Sequence, residues 1–524
     1  MVSAAAFTTR TKLSNLTPVT VHTPTDTTIA AVVAGHVRYR PGATAFADIS
    51  GSPHLTWSGY VARAHELAAA IADRGVGPRE RVGLFVPDGI SAHIAFLGCE
   101  LAGVVALGMG ARSGDREIAH LLRRTSSRLL VSTLAESDRL RTVSGLEVIA
   151  LEEVSDDDPN TIDGQLFGSD ELWFLNSTSG TTGLPKVVKH HQRRWFAFHD
   201  LAVEAGRLEP SDVFASLVPA PFGFGLWTSH FTPTILGAPC FVADRFNPEA
   251  TLAAIERERI SVLSAVPTQL ALLMACPDFS ERDLSSLRVV FTGGEMLPYE
   301  RGVAFEERTG AALLQFYGSN ETGALSRTTL DDPRDIRLRT AGRLIGSMHV
   351  RLVDDDDLDV SATGGPAVPC CNGPLLSLGY DGDDEANRQL YTPDGWMKMG
   401  DLVSIDPPLA ADAVLTVVGR TADLIIRGGK NISAPQVEEE VSTHPSVALA
   451  AVAAVPDPVF GERVCAYVVT RTGTTLTLKE LTEHLAGRGV GKELWPEVLV
   501  LVTDDLPRNA GGKVAKHALA SLPR

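Results

Sequence analysis

Between Leu55 and Ser132 the sequence alternates three times between helical and extended patterns, and this restricts the fold more than any other feature. Tyr60–Arg74 (YVARAHELAAAIADR) sets its apolar residues on one helical face, and Gly75 and Gly77 end it. Arg81–Val86 reads as a short buried strand, Ile90–Gly103 as a second helix and Val104–Leu107 as a second strand. Arg116–Arg124 and Leu129–Ser132 form the third pair, and the alternation returns at Thr251–Leu263 and Leu287–Phe291. Successive strands joined through helices run parallel and need cover on both faces. The expected class is therefore α/β, with a large N-terminal body of mostly parallel sheets and helices.

At ~100–200 residues per domain, 524 residues imply two to four domains. The pattern changes near Gly419-Arg-Thr-Ala-Asp423. Beyond it lie a helix at Gln436–Thr443, strands at Ala448–Val455 and Val464–Val469, and a helix at Leu478–Arg488. This reads as a small α+β unit over residues 422–524, a mobile lid on a body spanning 1–421, with a hinge near 420–423. The chain has 47 Lys plus Arg against 64 Asp plus Glu, a net of −17. Residues 422–524 hold 11 basic and 12 acidic residues, so the body carries −16. A general nucleic-acid binder needs a basic surface, and this balance excludes one. A local basic site for phosphates remains compatible with it.

The six cysteines (Cys99, Cys240, Cys276, Cys370, Cys371 and Cys465) form no CxxC pair and no Cys/His ligand spacing, so buried reduced thiols are expected. Met1–Thr20 lacks the apolar core of a secretory signal. Ile94–Ala111 is the most apolar stretch, but Glu100 and four glycines make it a buried helix and strand rather than a bilayer span. These features fit a cytoplasmic protein without membrane insertion. The acidic runs Asp156–Asp158 and Asp354–Asp357 lack calcium-loop spacing and read as solvated loops.

The strongest chemical signal is Ser177-Thr-Ser-Gly-Thr-Thr-Gly-Leu-Pro-Lys186, between the strand-like Leu172-Trp-Phe-Leu175 and the apolar pair Val187-Val188. Gly180 and Gly183 let backbone N–H groups converge on an anion. Ser177, Thr178, Ser179, Thr181 and Thr182 supply hydroxyls, and Lys186 supplies a point charge. The spacing differs from that of a Walker A loop.

This segment resembles the phosphate loop of the acyl-adenylate-forming superfamily, which includes acyl- and aryl-CoA ligases, peptide-synthetase adenylation domains and firefly luciferase. The resemblance runs from about Tyr39 to Lys516, with several motifs in the family's order. Tyr317-Gly-Ser-Asn-Glu-Thr-Gly323 resembles the YGxTE segment. The likeness implies that Tyr317 and Gly318 lie by the adenine, that Asn320 donates to the α-phosphate and that Glu321 holds Mg²⁺. Gly293, Gly294 and Glu295 resemble the strip beside the adenine. Trp396–Asp401 (WMKMGD) resembles the segment whose aspartate grips the ribose, here Asp401, with Met399 in place of the usual Thr. Arg420 would contact ribose or phosphates. Pro507-Arg-Asn-Ala-Gly-Gly-Lys513 resembles the C-terminal catalytic-lysine loop.

The implied chemistry accounts for these residue types. A carboxylate attacking the α-phosphorus of ATP brings two anions together, so rate depends on placed cations and donors. Lys186 and Mg²⁺ on Glu321 would hold the leaving pyrophosphate, and Lys513 would bridge the carboxylate and the α-phosphate. No general base is needed, because a carboxylate is ionised at pH 7. His190 and His191 are accordingly expected to be structural or capping residues.

Two segments bear on the substrates. Pro219-Ala-Pro-Phe-Gly-Phe-Gly-Leu-Trp227 is similar to the acid-binding segment and holds no Asp to pair with an α-ammonium. Phe222, Phe224 and Trp227 beside Gly223 and Gly225 imply a roomy apolar pocket for a bulky hydrophobic or aromatic acid. Arg427-Gly-Gly-Lys-Asn431, with Gly428, Gly429 and Lys430 at its centre, resembles the loop that swings in for thioester formation. The hinge position, usually Asp or Lys, is Ala422 here. Coenzyme A is the implied acceptor. The alternatives are an amine, a carrier-protein thiol or a partner ligase, and, in another class, a non-catalytic nucleotide-binding regulator.

Overall fold

Arg81–Leu84, Val105–Gly108, Leu129–Ser132 and Phe174–Ser177, buried at every residue but Arg81, become interior strands of a sheet covered on both faces. The structure, a computed structural model, describes residues 27–154, 167–177, 185–295, 297–354, 356–420, 424–427, 430–503, 505–509, 514–519 and 521–522, with only the backbone at 420, 430, 431 and 517. The strands form a six-stranded sheet in the order Val148–Ala150, Leu129–Ser132, Arg81–Leu84, Val105–Gly108, Phe174–Ser177, Val187–His190. The first five are parallel and the last is antiparallel.

The expected elements recur with shifted ends. The helix read from Tyr60 begins at Trp57, because the Thr56 hydroxyl accepts from the Gly59 N–H and starts it. The strand read at Leu172–Leu175 is displaced to Phe174–Ser177, so Ser177 closes a buried strand. Ile94–Ala111 is a buried helix and strand as expected, and no helix among the described residues is long and apolar enough to cross a membrane.

A second sheet of eleven strands lies beside the first. Its parallel half runs Thr44–Asp48, Cys240–Val242, Phe214–Ser216, Val262–Ser264, Val289–Thr292, Ala312–Ser319. It continues through antiparallel strands Gly323–Arg327, Arg343–Leu344, Val414–Arg420 and Asp401–Asp406, and at the other edge His54–Thr56 pairs antiparallel with Thr44–Asp48. A small antiparallel sheet of His349–Val353, Val368–Asn372 and Met397–Lys398 completes this region. The antiparallel half is a departure from the mostly parallel expectation. From Arg343 on, its short strands carry many half-exposed residues and lack the long apolar runs that mark parallel strands.

Residues 424–501 build a sheet of their own, antiparallel except for Val498–Leu501, which lies parallel to Gly461–Thr470. The helices Ala434–Ser442 and Leu478–Gly487 cover it through Val437, Val441, Leu481 and Leu485. All six cysteines are free, five of them buried and Cys276 half-buried. In the acidic run, Asp354 accepts from the N–H groups of Asp356 and Leu358, and Asp357 pairs with Lys398 at 3.0 Å. Asp156–Asp158 lie outside the described residues.

Candidate active site

The carboxyl ends of parallel strands are where open α/β sheets bind ligands, and here ends from both large sheets meet. Ser177 and Val187 are paired neighbours on adjacent strands, so the two ends of the phosphate loop are held about one strand spacing apart. Of that loop, Thr178, Ser179, Gly180, Thr181, Thr182 and Gly183 lie outside the described residues. Lys186, at its far end, is described.

Asn176, fully buried before the loop, ties three segments together. Its amide nitrogen donates to the Pro221 carbonyl at 2.9 Å and to Asn320 Oδ1 at 3.3 Å. Its oxygen accepts from Asn320 Nδ2 at 2.6 Å and lies 2.8 Å from His190 Nε2. Burial holds the His190 imidazole well below its usual pKa, so the ring is neutral, donates from Nε2 and accepts at Nδ1 from Arg194 Nη1 at 2.8 Å. Arg194 Nη1 also donates to the Asn320 carbonyl at 3.0 Å. Burial lowers the pKa of Arg194 to about 9 while Glu321 opposes the shift, so a cation sits beneath the Asn320–Glu321 turn. His191 caps the helix Gln192–Gly206, its Nδ1 accepting from the Arg194 N–H at 3.4 Å. Both histidines thus occupy the structural and capping positions expected of them.

On the opposite wall, the Tyr317 hydroxyl donates to Asp401 Oδ2 at 2.8 Å. Asp401 is in register with Arg420 across the hairpin, which puts the two expected ribose contacts on neighbouring strands. Gly318 sits at a bulge where a Cβ would lie 1.8 Å from the Gly323 carbonyl oxygen, so no larger residue fits. Gly293 and Gly294 follow the strand Val289–Thr292. Gly294 has φ +83°, and a Cβ on Gly293 would lie 3.3 Å from the Phe316 carbonyl oxygen. The Glu295 carboxylate accepts from the Thr268 N–H at 3.2 Å and hydroxyl at 2.7 Å, and lies 4.0 Å from Arg508.

A segment without a sequence signature completes the site. Ser377–Asp381 is laced to both walls. Ser377 N–H donates to the Glu321 carbonyl, while Leu378 and Asp381 N–H donate to Lys189 and Val187. The Tyr380 hydroxyl donates to Glu321 Oε1 at 2.8 Å, and the Lys186 ammonium lies 4.9 Å from the centre of the Tyr380 ring. Burial, followed by the charge of Glu321, raises the Tyr380 pKa, so its hydroxyl stays a donor. Asn176, Arg194 and Tyr380 were all missed by motif reading. The one available signal was Tyr380 between Gly379 and Gly382, both at positive φ.

The acid-binding segment differs from expectation in what its glycines do. A Cβ on Gly225 would lie 2.1 Å from the Pro219 carbonyl oxygen, and one on Gly223 would lie 3.0 Å from Asn320 Oδ1. At Gly225 close packing against the Pro219 backbone requires the glycine. Trp227 is buried among Phe198, Phe224, Phe291 and Phe316, with ring centres 5.0–6.0 Å apart. Phe222 and Phe224 are half-buried, and a π-helical stretch, Leu226–Phe231, continues the segment.

Lys513, Ala422, Gly428 and Gly429 lie outside the described residues. Arg508 and Val514, on either side of residues 510–513, form an isolated β-bridge, and Arg508 lies 4.0 Å from Glu295. Arg427 is bonded to Glu497 at 2.8 and 2.9 Å and stacks on Phe460. Among the described residues no three His, Cys, Asp or Glu gather as a metal cage. Mg²⁺ needs none: it keeps its waters and takes one or two carboxylates plus substrate phosphates. Glu321 fits that donor set. Tyr380 occupies Oε1, and no hydrogen bond from a described residue falls on Oε2.

The sequence matches the AMP-binding enzyme family over residues 33–381 and the AMP-binding enzyme C-terminal domain over 436–513. A salicylyl-CoA synthase / salicylate adenylyltransferase from a Streptomyces species is 31% identical over 518 residues, 91% of each chain. The structure of an anthranilate CoA ligase in complex with anthranoyl-AMP superposes with a TM-score of 0.86 at 25% identity, over 95% of this chain and 98% of that one. An amide bond synthetase from Marinactinospora thermotolerans gives a TM-score of 0.79 at 26% identity, covering 94% of this chain and 99% of its own. With two family segments matched in order over most of its length, the chain belongs to the AMP-binding enzyme family.

Proposed function

We propose that this enzyme is an AMP-forming acid–thiol ligase. It converts a carboxylic acid and ATP to acyl-AMP and pyrophosphate, then transfers the acyl group to coenzyme A. The observation that carries the reading is the meeting of Lys186, Glu321 and the Tyr317–Asp401 pair around one cleft of an AMP-binding fold. An aromatic or bulky apolar acid is the substrate class. It is supported by the salicylate and anthranilate relatives and by the half-buried Phe222 and Phe224. The setting is cytoplasmic.

In the first half-reaction a carboxylate oxygen attacks the α-phosphorus, and the α–β bridging oxygen leaves with pyrophosphate. Lys186 and the phosphate loop bind the departing phosphates, and Asn320 donates to the α-phosphate. Asp401 and Arg420 hold the ribose, and Tyr317, Gly293 and Gly294 flank the adenine. Lys513 joins carboxylate and α-phosphate. Mg²⁺ held by Glu321 supplies charge neutralisation on the triphosphate. In the second half-reaction the thiolate of coenzyme A attacks the acyl carbon and AMP leaves. The body 1–421 and the lid 422–524 reorient between the steps about 420–423, bringing Arg427–Asn431 toward the thiol.

The test is a panel of benzoic, hydroxybenzoic, aminobenzoic, cinnamic and medium-chain acids with ATP, Mg²⁺ and coenzyme A, read by pyrophosphate release and acyl-CoA mass. Acid-dependent pyrophosphate and an acyl-CoA product are expected. Pyrophosphate without acyl-CoA would favour the amine acceptor that the amide synthetase neighbour brings forward. No acid-dependent ATP–pyrophosphate exchange would reject catalysis in favour of a nucleotide-binding regulator.

A further inference from the structure

Lys186, just before the strand Val187–His190, and Glu321, in the turn between the strands Ala312–Ser319 and Gly323–Arg327, carry opposite charges. No ion pair joins them among the described residues. Tyr380 lies between: its ring faces the Lys186 ammonium at 4.9 Å and its hydroxyl donates to Glu321 Oε1 at 2.8 Å. Its backbone is held on both sides. Tyr380 N–H donates to Asn387 Oδ1 at 2.8 Å, and Asn387 Nδ2 donates back to the Tyr380 carbonyl at 3.0 Å. Residue 379 must be glycine, because its φ is +77° and a Cβ there would meet Asn387 Oδ1 at 2.7 Å. Asp381, next in the chain, pairs with Arg81 at 2.8 Å. With the backbone held this firmly and the hydroxyl bonded to Glu321, Tyr380 is placed to act as a spacer between the two charges.

The spacer has a physical consequence. Opposite charges at contact distance in a partly buried cleft attract strongly, and a lysine stem is long enough to cross a narrow one. A Lys186–Glu321 pair would neutralise the cation meant for phosphate and the carboxylate meant for metal, and nucleotide would have to break it first. An aromatic face satisfies the ammonium weakly, and a phenol satisfies one carboxylate oxygen while leaving the other open. We propose that Tyr380 is a positioning residue that holds Lys186 and Glu321 apart in the nucleotide-free enzyme, keeping each available to the metal–nucleotide complex. This rests on the reading of Lys186 and Glu321 as nucleotide and metal residues.

The test is equilibrium binding of ATP by calorimetry, without acid substrate, in EDTA and in excess Mg²⁺, so that no turnover is involved. Tyr380→Leu removes ring and hydroxyl and is expected to weaken metal-free ATP binding about tenfold, the equivalent of about 1.4 kcal/mol. Adding Glu321→Gln to Tyr380→Leu removes the partner that captures Lys186 and should restore metal-free affinity to within about threefold. Tyr380→Phe keeps the ring. It should bind metal-free ATP like the wild type but lose about ten- to a hundredfold of the enhancement by Mg²⁺, the order expected for one hydrogen bond to a charged group. Wild-type affinity in Tyr380→Leu overturns the proposal, as does a loss that Glu321→Gln fails to rescue, since that marks a packing defect. If wild-type enzyme binds no ATP, the nucleotide reading itself falls, a result distinct from either.

Discussion

His191→Asn separates a capping histidine from a catalytic base. His191 is the N-cap of the helix Gln192–Gly206, the helix that carries Arg194 beneath the Asn320–Glu321 turn. Asn is among the best N-cap residues, so the variant keeps the cap and deletes only the titrating ring. Burial, then the charge of Arg194, pulls the His191 pKa down to about 4, against ~6.5 in an unfolded chain. A depressed imidazole pKa means that protons bind the unfolded chain more tightly. The stability is therefore complete above pH ~6.5 and drains away as pH falls from there toward 4. At pH 5 the gap corresponds to about 2 kcal/mol at 1.36 kcal/mol per pH unit. Screening around the exposed Arg193–Asp170 pair beside it trims this to about 1–2 kcal/mol. The variant should lie within about 1 kcal/mol of wild type at pH 7.5 and gain about 1–2 kcal/mol relative to it at pH 5. Urea unfolding followed by tryptophan fluorescence at both pH values, with ATP–pyrophosphate exchange at pH 7.5, makes the measurement. A stability difference that ignores pH would refute the burial argument, and exchange lost a hundredfold in a folded variant would make His191 a base after all.

Other expectations follow from particular contacts. Tyr317→Phe removes the 2.8 Å hydrogen bond to Asp401, a charge-assisted bond of about 1.5–3 kcal/mol when buried. The KM for ATP should rise about ten- to a hundredfold with the apparent KM for the acid unchanged; equal changes in both would place Asp401 away from the ribose. Gly318→Ala forces a Cβ to within 1.8 Å of a backbone oxygen, so the urea midpoint should fall and ATP binding should be lost. Normal binding would show that the bulge yields. Lys513→Ala should slow adenylation by ~10²–10³, the range for one lost electrostatic contact, whereas thioester formation from supplied acyl-AMP should be less affected. Unchanged adenylation removes Lys513 from the first step.

Much of the architecture was legible because burial writes itself into local patterns. Arg81–Leu84 and Leu129–Ser132 stand out as apolar runs since every side chain of a covered parallel strand faces a core. The antiparallel strands from Arg343 to Arg420 did not, because their half-exposed residues resemble loops. Helix starts moved by two or three residues where a hydroxyl cap decides the end, as Thr56 and Ser433 do. In the acid-binding segment, sequence shows small residues beside aromatic ones. Only packing decides whether a glycine opens a space or admits a neighbouring backbone, and at Gly225 it admits the Pro219 carbonyl.

The chemistry divides the same way. The sequence alone shows the residues proposed to touch phosphate, ribose and metal: an anion-binding loop, its lysine and a carboxylate are short motifs whose atoms are supplied by neighbours in the chain. The tertiary structure alone decided what holds them in place. Asn320 is braced by Asn176 and Arg194, 144 and 126 residues away, and Glu321 by Tyr380, 59 residues away. Such contacts leave no trace in spacing, because a hydrogen bond between two sheets depends on where each sheet lies and not on the residues that flank either partner.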